Sequence, residues 1–373
     1  MIRVYLDHNA TSPMDRRVLA RLVAAERTFL ANPSSLHTAG RRAQGVVEQA
    51  RQLIATHLTV EPESVVFVSG GTEANNLAVL GIGAAERGVA ASVAEHPSVL
   101  EAARSRGWLA LPVDRDGRPG FRATGWTADN AAPAVVCAVY GQSEVGTLSD
   151  LAAARRFANT VGAVLHVDAT QALGRVDLAP AIAAADSIAL SLHKAGGPRG
   201  IGILVARGKA SPLRPLTHGG GQEGGRRAGS VSPALASAAA ATIRFAVTER
   251  NLRSEAMRTA RDAFWEIAST LPGVVKVTPD EDVLPNTLMI AFTRVVDART
   301  LLPALDLVGV DASQGSACSS GSPQPPPVLA AMGLDEASAR RCVRFSFAHT
   351  TMRDAAQLGA RRVVEVHARL VRA

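Results

Sequence analysis

Three short segments of this 373-residue chain carry residues whose types and spacing could do chemistry together. The first, VSGGTEANNLAVLG (residues 68–81), sets glycines, among them Gly71, between an apolar run and a helical pattern, and Thr72 adds a hydroxyl. Free backbone N–H groups and the positive end of a helix dipole at such a turn can hold an anion. The segment lacks both Gly-Lys-Ser/Thr and the spaced glycines of a dinucleotide site, so alone it reads either as a phosphate cradle or as plain turn chemistry. The second, AVLHVDATQALG (residues 163–174), ends an apolar run on Asp168. A carboxylate there is costly to bury without a positive partner, and a protonated pyridine nitrogen would be one. A helix N-cap is the alternative role. The third, DSIALSLHKAGGPRGIGILV (residues 186–205), puts Lys194 at the end of a strand-like run, just before glycines. Desolvation lowers the pKa of a lysine and makes it a usable amine nucleophile, whereas an ordinary loop lysine would stay in water. Ser191 and His193 can both donate to an anion.

These residues need elements that bring strand ends together. Apolar, unalternating runs at residues 64–68, 134–140, 163–167, 187–192 and 201–206 read as buried strands. Helical patterns begin near Thr72 and cover 151–161. That rhythm predicts a mainly parallel α/β sheet, whose ligands sit beyond the carboxyl ends of the strands. Residues 232–271 are almost continuously helical, and short strands follow at 274–277, 288–292 and 343–347. The change predicts a smaller α+β domain joined by a long helix. The proline-rich SPQPPPV (residues 322–328) is expected to be a loop, because consecutive prolines block helix and ladder alike.

Length favours two domains. The balance of 47% hydrophobic to 20% charged residues is that of a globular protein. The net charge of +7 comes from scattered arginines, and clusters such as Arg226 with Arg227 are short and free of interleaved aromatics. A solvated surface is expected, with no direct nucleic-acid partner. No run of about 18 apolar residues exists to cross a membrane, and Asp7 interrupts the N-terminal segment, so a cytoplasmic location is expected. The three cysteines are far apart, without metal-ligand spacing, and no metal is expected. Cys137, inside an apolar run, and Cys342 read as buried structural thiols. Cys318 sits among small polar residues in GSACSSGS.

Taken together these motifs resemble the cysteine desulfurases, within the class V aminotransferase-type pyridoxal-phosphate enzymes. The resemblance runs over nearly the whole chain. It takes in YLDHNATSP, NPSSLHTAGRRA, SGGTEANNLA, AEHPSVL, HVDATQALG, SLHKAGGPRGIG, GGGQEGGRRAGS, QGSACSSGS and VRFSFAHTT. It implies pyridoxal-phosphate fold type I, with a seven-stranded-type sheet in a large domain (residues 13–247) and a small domain from residues 1–12 and 248–373. It implies that Lys194 holds pyridoxal 5'-phosphate as a Schiff base, that Asp168 pairs with the ring nitrogen, that His96 stacks on the ring and shuttles protons, and that Gln171 bonds the ring hydroxyl. Gly71, Thr72, Ser191 and His193 would bind the phosphate, with Ser230 reaching it across a homodimer interface. Arg344 would clamp the substrate carboxylate, with Asn32 and His37 near the substrate.

Cys318 would take sulfur from L-cysteine as a persulfide, release alanine, and carry the sulfur on the longer type of loop to an acceptor protein. Iron–sulfur assembly, tRNA thiolation and thio-cofactor pathways use such donors. The chain departs from the family at Ser143, where an asparagine contacting substrate or ring is usual, and at Ala195, where a bulkier residue follows the lysine. Those departures keep a second reading open, another pyridoxal-phosphate C–S or C–Se lyase or an aminotransferase. A non-catalytic binding scaffold is a third.

Overall fold

The computed structural model describes residues 2–122, 132–315 and 324–371. After β1 (Val4–Tyr5), the chain builds a seven-stranded sheet from β2 (Val65–Val68), β3 (Val89–Ser92), β4 (Trp108–Leu111), β5 (Val135–Val139), β6 (Val164–Asp168), β7 (Ser187–Ser191) and β8 (Gly202–Ala206). The strand order is β2-β8-β7-β6-β5-β3-β4. All neighbours are parallel except at β8, which runs antiparallel to both β2 and β7.

The apolar runs form the centre of this sheet because they are buried on both faces. Along β5, Val136 and Ala138 join one core cluster while Val135 and Cys137 join the other. Alternation along the strand therefore feeds two packed layers, each closed by helices. The expected strands match observed ones to within a residue or two. Strands β3 (VAAS) and β4 (WLAL) were not legible, since short Ala- and Ser-containing segments carry little strand propensity.

The smaller unit holds β9 (Val274–Lys276), β10 (Thr287–Phe292), β11 (Val310–Asp311) and β12 (Cys342–Ser346). Strands β12-β10-β9 form an antiparallel sheet, and β1 pairs in parallel with β11. The N-terminus thus returns to the C-terminal third, where Leu6 shares a core with Phe264, Phe345 and Phe347.

Two expectations need correction. The continuous helix over 232–271 is two helices, Pro233–Thr248 and Arg250–Ala268, interrupted at Glu249, which leaves helical geometry (φ −103°, ψ 8°). Its carboxylate is held by Arg17 and Arg253. The proline run is not loop throughout: a helix begins at Pro327 (Pro327–Ala331). A proline in the first helical position gives up only an N–H that has no partner there, and its φ is already helical. No helix among the described residues is long and apolar enough to cross a membrane.

Candidate active site

At the carboxyl ends of β6 and β7 lies a cavity of about 350 Å³, lined by Lys194, Asp168, His96, Ser191, His193 and Gln171 among others. Gly71, Thr72, Ser143 and Arg344 complete the set of expected residues in its wall. Strand burial forces this convergence, because side chains at successive strand ends have only the sheet's edge in which to meet.

The anion end is built from helix Gly71–Gly81, which follows β2 and has no side-chain cap. Its first-turn N–H groups therefore lack a partner inside the helix. A Cβ on Gly71 would stand 2.8 Å from Thr170 Cγ2 and 3.2 Å from Ser191 Cβ, so only glycine lets the turn come this close. His193 bonds through Nδ1 to Thr11 Oγ1 (3.1 Å). Burial, with Lys194 and Arg199 adding like charge, depresses its pKa to about 4.

Asp168 is 2% exposed. Its Oδ1 accepts the Thr170 N–H (2.9 Å) and its Oδ2 accepts the Asn75 amide (2.8 Å). The first contact is a local turn, and no helix begins there, so the N-cap role is not the one the fold uses. Burial works against its charge, but His96, the Thr170 donors and Lys194 together hold the carboxyl below its ordinary range.

Lys194 ends a short 3₁₀ turn (Leu192–Lys194) directly after β7. Burial lowers its pKa; Asp168 pulls the other way, and the cations Arg175 and Arg344 add to the lowering. The amine thus keeps a larger neutral, nucleophilic fraction than a loop lysine would.

Arg344, 1% exposed on β12, already has partners. It donates to Asp7 Oδ1 (2.6 Å) and to the Ser143 carbonyl (3.0 Å), while its buried Nε has no partner among the described residues. Arg175, which the sequence did not single out, is a buried cation whose partners among the described residues are all oxygen dipoles. It donates to the Gln171 side-chain oxygen and to the carbonyls of His8 and Lys194. Burial, reinforced by Arg344, brings it down to about 9. Gln171 spends its amide on the Asn9 carbonyl (3.0 Å), which leaves one amide hydrogen for a ligand.

The structure does not bring every expected residue to this cavity. Within one chain Asn32 and Ser230 lie together elsewhere, 3.5 Å apart, and Ser230 lines a separate cavity of about 660 Å³. His37 is exposed and caps helix Thr38–Leu58 by accepting the Gly40 N–H. Cys318 lies outside the described residues. Cys137 and Cys342 are buried, and burial pushes the Cys342 thiol up to about 12 and the Cys137 thiol well above its ordinary range, as expected of inert structural thiols.

The donor set fits pyridoxal phosphate on chemical grounds. An uncapped helix end and a glycine that admits no Cβ suit a phosphate. A buried carboxylate with donors but no cation bonded to it suits a ring N–H, and a depressed lysine amine suits the aldehyde carbon. This fold and site define a class, the pyridoxal-phosphate enzymes of fold type I. The aminotransferase class-V family model matches residues 4–358, and the chain belongs to that family. It is 36% identical over 369 residues to the IscS-like cysteine desulfurase of Mycobacterium tuberculosis, covering 93% of this chain and 92% of that one. It is 34% identical over 385 residues to the cysteine desulfurase NifS of Azotobacter vinelandii, with 99% and 94% coverage. Among solved structures, a NifS-like protein superposes with a TM-score of 0.87 at 30% identity, covering 99% of this chain and all of the other.

Proposed function

We propose that this protein is a pyridoxal-phosphate-dependent cysteine desulfurase, which converts L-cysteine to L-alanine and passes the sulfur through a persulfide on Cys318. The observation that carries the reading is the meeting of Lys194, Asp168 and Arg344 in one cavity of a chain whose relatives bear that activity.

Pyridoxal phosphate, when bound, supplies an electron sink for charge that develops at the substrate α-carbon. Gly71, Thr72, Ser191 and His193 hold its phosphate, and Lys194 anchors it. Asp168 keeps a proton on the ring nitrogen, and Gln171 offers its remaining amide hydrogen to the ring hydroxyl. Arg344 clamps the substrate carboxylate. Asp7, already on one nitrogen of the guanidinium, keeps the fork oriented. Ser143 leaves more room than an amide side chain would. The Lys194 amine would take the α-proton.

Cys318 as thiolate attacks the substrate sulfur. The substrate C–S bond breaks, a Cys318 S–S bond forms, and the carbon fragment collects protons to leave as alanine. One cysteine and one thiol thus give one alanine and one persulfide. The described root of the Cys318 segment supports this assignment. Ser313 exchanges backbone hydrogen bonds with Arg344 itself (2.6 and 3.2 Å), and Gly315 follows two residues on. Cys318 is three residues further, a reach of at most about 11 Å of extended chain.

The reading extends to a homodimer in the cytoplasm, divided near residue 247 into a cofactor domain and a small domain, with an acceptor protein for the sulfur. In that dimer Asn32, His37 and Ser230 serve the partner's site, a role supported by their placement away from Lys194 in their own chain. The test is to supply cysteine and a reducing thiol and to measure alanine and sulfide. Cys318→Ala is expected to keep the bound cofactor's colour and lose sulfide release. Full-rate sulfide from that variant would remove the persulfide step.

A further inference from the structure

In the cavity wall and behind it runs a chain of buried polar groups, of which the expected site included only Asp168 and His96. Its centre is Asn75, 1% exposed, on helix Gly71–Gly81. Asn75 Nδ2 lies 2.8 Å from Asp168 Oδ2 and 2.9 Å from Ser98 Oγ. Ser98 Oγ lies 2.8 Å from His96 Nδ1, which also receives the Ser98 N–H at 3.1 Å. On the other side, Asn75 Oδ1 lies 3.0 Å from His166 Nε2, and His166 Nδ1 lies 2.9 Å from Ser187 Oγ. His166 and Asp168 stand two apart on β6 and so share one face toward the helix.

With both imidazoles neutral, only one arrangement of hydrogens satisfies all these contacts. The Asp168 carboxylate can only accept, so the Asn75 amide must turn its NH₂ toward it. The second amide hydrogen goes to Ser98 Oγ. Ser98 must then give its own hydrogen to His96 Nδ1. A neutral His96 therefore carries its proton on Nε2. Asn75 Oδ1 can only accept, so His166 donates from Nε2 and accepts from Ser187 at Nδ1. Burial depresses the pKa of both histidines, His166 to about 4, which agrees with neutral rings.

We propose that Asn75 is a positioning residue that ties Asp168 to His96 through Ser98 and sets His96 as the Nε2–H tautomer, so that His96 meets the substrate as a hydrogen-bond donor. His96 Nδ1 is occupied twice over and cannot serve as a base. The base at the α-carbon is then Lys194, and neutral His96 offers its Nε2–H as a hydrogen bond while keeping the proton. This rests on the desulfurase reading for its substrate, but the tautomer is a property of the protein and is read without substrate.

The test is histidine-selective ¹⁵N NMR of the holoenzyme and of the cofactor-free protein, with kinetics alongside. In the wild type, His96 is expected to be protonated at Nε2 with Nδ1 bare and hydrogen-bonded. Asn75→Ala and Ser98→Ala are expected to move the Nδ1 resonance toward that of a nitrogen lacking a hydroxyl donor. Ser98→Thr, which keeps the hydroxyl, restores it. Asn75→Ala is expected to lower kcat about ten- to a hundredfold with little change in KM, the usual cost of losing an orienting partner. A wild-type His96 protonated at Nδ1 overturns the proposal, and so does an Nδ1 resonance that is the same in wild type and Ser98→Ala. The wild-type and Ser98→Ala spectra decide the matter even if Asn75→Ala does not fold. A chain that fails to desulfurate cysteine but shows this tautomer would overturn the functional reading and leave the hydrogen-bond chain standing.

Discussion

Glu95 precedes His96 yet is absent from the cavity wall, and it shows what burial does to a carboxyl without a cation. One oxygen accepts the Val139 N–H (2.7 Å), and the other is buried with no partner among the described residues. Burial, with the negative Asp168 nearby, pushes its pKa up to about 8. In the unfolded chain the group titrates near its ordinary value, so between roughly pH 4.5 and 8 the native state binds the extra proton. Stability contributed by Glu95 is therefore full at low pH and is lost as pH rises toward 8. Glu95→Gln keeps the acceptor for Val139 and removes the ionisation. Its advantage in urea unfolding is expected to be under about 1 kcal/mol at pH 5 and to grow to about 4–5 kcal/mol by pH 8.5. A gap that stays constant with pH would show that Glu95 is paired in some other way. At this scale the sequence was most readable where one residue type allows few roles. Lys194 and Asp168 stood out because a charge at the end of an apolar strand demands a reason, while their roles came only with the family resemblance. Asn75 and Arg175 did not, since their roles depend on which side chain faces them from another element.

The elements explain why so much of the cavity was legible. Strands buried on both faces announce themselves as unbroken apolar runs, and each of the three motifs begins where such a run stops. The glycine turn before helix Gly71–Gly81 was ambiguous from sequence, because turn chemistry and anion binding use the same residues. The 2.8 Å approach of a Gly71 Cβ to Thr170 supports the proposed anion site, since both neighbours in the way belong to the cavity wall. Gly71→Ala must push Thr170 or Ser191 aside, a local overpacking that costs about 1–3 kcal/mol. The variant is expected to fold and to release its cofactor more readily, which dialysis followed by absorbance measures. Cofactor retention equal to wild type would show that the helix end does not hold the phosphate. The helix over 232–271 was misread at one position only. Glu249 is not a helix breaker by type, and its break follows from its contacts to Arg17 and Arg253.

At the scale of the whole molecule, the residues that lie away from the cavity are the ones that the proposed homodimer would assign to the partner's site. Asn32, His37 and Ser230 sit away from Lys194, and a single sequence says nothing of which surface meets a copy of itself. If Ser230 serves the partner's site, two defective chains can mend each other. Lys194→Ala and Ser230→Asp homodimers are each expected to be nearly inactive. Random re-pairing of the two restores one complete site in each mixed dimer, about a quarter of the wild-type sites. Absence of any recovery, with mixed dimers verified by mass, would place Ser230's role within its own chain. The N-terminal segment carries a different consequence. Asp7 holds Arg344, and Asn9 bonds Thr287 and Ser346, so the cavity is closed by partners more than 270 residues apart. During synthesis the segment bearing Asp7 must wait for Arg344 to be made, which at cellular rates takes roughly 20–70 s. Until then the growing chain can lay down its large sheet but has no finished pocket.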